Sequence, residues 1–157
     1  MAGSNRWTRL VERVAVVEIF LLIAQYLLGI WTNVYAPAQF VLNSSGMSTQ
    51  PGSLVYHVLV GFLLFLVGVV ILILAGLSRD LRLICLAAVL PVAVFVAGEF
   101  GSAFERSTPN NPIYSFGMGV MFIVALFATM GILALSRNRR MLSAPSAAPA
   151  ARETQPS

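Results

Sequence analysis

Four uninterrupted apolar stretches, Val14 to Thr32, Leu54 to Leu77, Leu83 to Phe100 and Ile113 to Leu135, dominate this chain of 157 residues. Each is close to the ~20 residues that an α-helix needs to cross the hydrocarbon core of a bilayer. Hydrophobic residues make up 58% of the chain and charged residues 10%, which is more apolar surface than a soluble core of this length can hide. The expected fold is therefore all-α: an integral membrane four-helix bundle whose main contact is the lipid bilayer. The helices are expected at about 14–32, 54–77, 83–100 and 113–135, within a transmembrane domain spanning 13–136. A short N-terminal tail, 1–12, precedes it. Residues 137–157 follow as a segment that is first basic and then, with three prolines and no periodicity, unstructured.

Arginine sets the expected orientation. The chain has no lysine, and nine of its ten arginines flank one membrane face. Arg6, Arg9 and Arg13 precede the first helix, Arg79 and Arg82 lie between the second and third, and Arg137, Arg139, Arg140 and Arg152 follow the fourth. Arg106 alone stands opposite. The positive-inside rule then places both termini in the cytoplasm and the loops at 33–52 and 101–112 outside. Arginine without lysine, with much Ala and Val, fits a GC-rich bacterial genome, so the expected location is a bacterial plasma (inner) membrane. The formal charge of +4 does not point to nucleic acid, because the arginines sit in small groups at helix ends with no aromatics interleaved for stacking. Ala36-Pro37-Ala38 has the small-x-small form of a signal cleavage site. The apolar run before it is too long for a signal core and contains Glu18, so the first helix is expected to stay. Cys85, the sole cysteine, rules out an intramolecular disulfide. In the first outer loop, Phe40, Val41 and Leu42 form a short apolar segment that could rest on the headgroup layer, and Asn43-Ser44-Ser45 matches a glycosylation sequon.

The runs also resemble one another. Tyr56-His57-x-x-x-Gly61 returns as Tyr114-Ser115-x-x-x-Gly119, and Leu27-Leu28-Gly29-Ile30-Trp31 is similar to Val96-Ala97-Gly98-Glu99-Phe100. Two hairpins related as parallel repeats about the membrane normal would produce both matches.

An ionisable side chain inside a membrane helix is costly unless paired or hydrated, so each one is a candidate site. Glu18 lies near the arginine-rich face and is expected to pair with Arg13, Arg79 or Arg82. Gln25, in mid-membrane, is expected to hydrogen-bond between helices. His57, the only histidine, and Glu99 lie near the outer face, close to Tyr56, Tyr114, Ser115 and the Glu105–Arg106 pair. Two readings of His57 stand side by side. In one it hydrogen-bonds Glu99 or Tyr114 at the membrane boundary. In the other it is a ligand above a groove of small residues, with Gly61, Leu64, Gly68 and Ala75 on its own helix and Ser115, Gly119 and Phe122 on the fourth. Such a groove serves close helix packing or leaves flat space beside a porphyrin's axial ligand.

Gln25-Tyr26-Leu27-Leu28-Gly29-Ile30-Trp31-Thr32 looks like the Q-x-x-L-G-x-x-x-R helix end of the heme A synthase family, and His57-x-x-x-Gly61 resembles the opening of that family's second helix. Over roughly 13–135 the chain therefore resembles one four-helix half of such a protein, whose heme ligands stand at the outer ends of helices two and four. The resemblance implies His57 as a heme ligand. It departs at Leu54, where the family has the glutamate of Glu-x-x-His, in the loop at 33–52, which lacks the family's cysteine pair, and at Ser115, where the second histidine is expected. The synthase's oxidation chemistry is thus not implied, and the iron's sixth position would be taken by Met118 or Met121, by a ligand from a partner chain, or by no protein atom.

Three functions follow as expectations. The first is a component of respiratory electron transfer or oxidase assembly that contacts heme b or a quinone through His57, Gly61, Ser115, Met118, Gly119 and Glu99. The second is a noncatalytic accessory or scaffold subunit packed against a membrane protein partner or copies of itself. The third is an oligomeric proton-linked transporter built around Glu18 and Gln25. No set of residues in the chain names an enzymatic reaction.

Overall fold

The computed structural model describes residues 2–39, 52–107 and 111–142. These residues form four helices and no strand: α1 (Ala2–Gln39), α2 (Gly52–Ser78), α3 (Leu81–Arg106) and α4 (Pro112–Leu142). Each contains a stretch long and apolar enough to cross a membrane: Arg6–Thr32, Leu54–Ser78, Leu81–Arg106 and Pro112–Arg139. The chain is a multi-pass, all-helical membrane protein. Only helices can satisfy their own backbone polar groups over such lengths in lipid, short of a closed barrel.

The helices close a ring in which α1 packs on α2 and α4, and α3 packs on α2 and α4. The diagonal pairs, α1 with α3 and α2 with α4, do not meet. One stripe of each helix turns inward. On α1 it is Val11, Ala15, Glu18 and Leu22, on α2 Leu64, Ile71 and Ala75, on α3 Leu83, Ala87, Leu90 and Ala93, and on α4 Ala125, Ala128, Thr129 and Ile132. Large side chains such as Phe20, Phe62, Phe95, Phe116 and Phe127 point outward and are exposed, as they can be where the solvent is lipid.

The helices outrun the apolar stretches that announce them. The N-terminal tail expected at 1–12 is helical from Ala2, and residues 137–142 prolong α4. An apolar run measures hydrocarbon thickness, whereas the helix stops only where its backbone finds a better partner. Here the extensions are also tied across the bundle, Glu12 Oε1 to Arg137 Nε at 3.3 Å and Asp80 Oδ2 to Arg139 Nη2 at 2.7 Å. At the other end α1 and α3 continue through 39 and 106, which shortens the two expected loops. The Phe40–Leu42 segment, the Asn43 sequon and the tail at 143–157 lie outside the described residues.

Two local features set how α2 and α3 meet. Arg79 turns the chain with φ 58°, a left-handed conformation, and its N–H donates to the Gly76 carbonyl at 3.1 Å. Asp80 then caps α3, its carboxylate accepting from the Arg82 backbone N–H at 3.1 Å. Midway along, Gly68 lets α2 approach Pro91 inside α3: a Cβ there would stand 3.3 Å from the Pro91 backbone nitrogen.

Candidate functional site

His57 belongs to a reciprocal clasp between α1 and α2. Gln25 and Gly29 stand one turn apart on α1, as do His57 and Gly61 on the antiparallel α2. The Gln25 side-chain amide donates to His57 Nε2 at 3.1 Å. Each polar side chain rests on the other helix's glycine. A Cβ on Gly29 would lie 3.3 Å from His57 Cε1, and one on Gly61 would lie 3.2 Å from Gln25 Nε2. Gln-x-x-x-Gly and His-x-x-x-Gly therefore form one motif read in both directions, with glycine chosen because its backbone lets a polar head in. With Nε2 accepting, the ring proton sits on Nδ1, which is buried and has no hydrogen-bond partner, as has the Gln25 Oε1.

The expected interhelical role of Gln25 is present, and the expected partners of His57 are not: neither Glu99 nor Tyr114 bonds to it. Glu99 is exposed and lines a shallow groove with Val96, Phe100 and Ala103 of α3 and Tyr114 of α4. Ser115, Met118 and Gly119 stand on α4, diagonal to α2 in the ring. Met118 packs toward Gly101 of α3, where a Cβ would meet its sulfur at 3.3 Å, while Gly119 faces open space. Phe122 stacks on Tyr26 of α1, with ring centroids 5.3 Å apart. Of the residues expected around His57, only Gly61 is its immediate neighbour in the clasp. The groove expected between helices two and four does not form, because those helices are diagonal in the ring. The glycines of the two hairpins also differ in use, Gly29 packing on His57 and Gly98 on nothing within 4 Å.

Glu18 departs furthest from expectation. Among the described residues no arginine reaches it: the residue is fully buried, and neither carboxyl oxygen has a hydrogen-bond partner. At this end Arg137 engages Glu12 and Arg139 engages Asp80. Glu18 lies on the inward stripe of α1, so its side chain points away from the headgroup region where those guanidinium groups sit. Thr129 and Ser136 of α4 are likewise fully buried, and Thr8, Ser78 and Asp80 are nearly so. The role of Asp80 as both helix cap and partner of Arg139 went unread in the sequence, although an acidic residue just before an apolar helix is a recognisable capping signal.

The chain matches no protein-family model, no curated protein and no solved structure. Whether these residues suit a heme is thus a question for the geometry alone. A heme ligated by His57 needs a free imidazole nitrogen facing a flat gap. Nε2 is engaged by Gln25, Nδ1 is buried, and Gly29 closes on the ring edge. The methionine that could complete the iron's coordination is on the diagonal helix. The arrangement does not fit a heme held between α2 and α4.

Proposed function

We propose that this protein is a noncatalytic accessory subunit of the plasma membrane, a four-helix scaffold with both termini cytoplasmic. The reciprocal Gln25–Gly29 and His57–Gly61 clasp carries the reading, since it accounts for the only histidine as a strut between helices. The arginine-rich end, where Glu12–Arg137 and Asp80–Arg139 close the bundle, supports the orientation. A strut has a measurable signature. In a double-mutant cycle of Gln25→Leu and His57→Leu, unfolding in detergent should show a coupling of about 0.6 kcal/mol and no more than ~1.7, the range of hydrogen bonds between membrane helices. Purified protein from heme-replete cells should show no Soret band. A band abolished by His57→Ala would return the histidine to heme b.

One observation favours a second reading, contact with a quinone. A buried imidazole N–H without an acceptor, His57 Nδ1, is what a quinone carbonyl would satisfy after a small opening of the α1–α2 interface. Organic extraction of the purified protein would recover a quinone in stoichiometric amount on this reading and only trace amounts on the first.

A further inference from the structure

We propose that Glu18 is a proton-binding site in the core of a single bundle. The inference goes beyond the scaffold reading and does not rest on it. Two contacts fix the register of α1 against α4: Glu12 on Arg137 near one end and the Tyr26–Phe122 stack near the other. Glu18 lies six residues from the first and eight from the second, so it is level with the turn of α4 that holds Thr129 and Ile132. The Thr129 hydroxyl donates to the Ala125 carbonyl at 2.8 Å, which leaves its lone pairs free to accept. A carboxyl fully buried in an apolar core, with no cation and no hydrogen-bond donor on either oxygen, is stable there with a proton on it and unstable without one.

The charged groups on the neighbouring elements do not alter this. On α4, Arg137 engages Glu12 and Arg139 engages Asp80, while Arg79 is exposed in the turn after α2. On α2, His57 lies toward the opposite end, on Gln25. On α3, diagonal to α1, Arg82 and Glu99 are exposed near the two ends. A metal cation is a poor occupant, because hard cations take several oxygen ligands and no cluster of three acidic, histidine or cysteine side chains exists among the described residues. A proton needs one acceptor.

Glu18 is closed off on both sides by large buried side chains, Leu22 and Leu64 toward the clasp and Ile71, Leu83 and Ile132 toward the termini.

Infrared spectra of the full chain in detergent test the site. The wild type should show the carbonyl stretch of a protonated carboxylic acid at neutral pH, falling as pH is raised, and Glu18→Gln should lack it. Dicyclohexylcarbodiimide, which adds to protonated carboxyls in apolar surroundings, should modify Glu18 of the unmutated protein, as located by mass spectrometry, and do so less as pH rises. A folded wild type with neither the band nor the adduct would overturn the proposal. The adduct is read without any mutation, so the test holds even if Glu18→Gln fails to fold.

Discussion

At the scale of single residues, the informative comparison is between glycines that touch something and glycines that do not. Gly29 and Gly61 hold the clasp, and a Cβ at either intrudes to 3.3 Å or 3.2 Å. Gly29→Ala and Gly61→Ala should each lose about 1 kcal/mol in detergent unfolding, because a polar head must move to make room. Gly119 has nothing within 4 Å, so Gly119→Ala should be neutral or stabilise by up to ~1 kcal/mol through helix propensity. If a flat cofactor lay on Gly119, the same change would instead abolish its binding. Arg79 offers a different test. Its φ of 58° strains a side chain with a Cβ, and Arg79→Gly should raise stability by about 0.5 kcal/mol, measured as a higher unfolding midpoint.

Among the elements, the α2–α3 contact depends on Gly68. Its missing Cβ would meet the Pro91 nitrogen at 3.3 Å and Leu90 Cβ at 3.4 Å, part of the helix framework and unable to rotate away. Gly68→Ala should therefore cost about 1–3 kcal/mol, whereas Gly76→Ala on the same helix, with open space around it, should not destabilise. A thermal-shift series across the two variants checks the contrast. Helix existence was legible in the four apolar runs, since length and hydropathy decide it. Helix length was not, because Ala2 to Arg13 and Arg137 to Leu142 are polar enough to read as tails and become helical through cross-helix pairs such as Glu12–Arg137.

For the whole molecule, the paired ends make a topological prediction. In a Cys85→Ala background, a cysteine at Asn138 should react with an impermeant maleimide only after the cells are opened. A cysteine at Ser107 should react in intact cells. The reverse labelling would invert the proposed orientation. Asp80→Ala removes both the cap of α3 and the buried partner of Arg139 and should cost about 1–2 kcal/mol, most of it from the lost cap.

The membrane class, the number of spans and the suspicion attached to Glu18, Gln25 and His57 were all determined by sequence alone, because the cost of leaving water is carried residue by residue. Partnership was decided only by tertiary structure. The ring order of the helices made α1 the neighbour of His57 and put α4 out of its reach, so an expected ligand site became a clasp. The rotation of α1 about its axis turned Glu18 inward, with none of the described arginines on it. Hydropathy is a property summed along the chain, whereas a hydrogen bond depends on which helix stands opposite and which way it faces, and neither is written in any one segment.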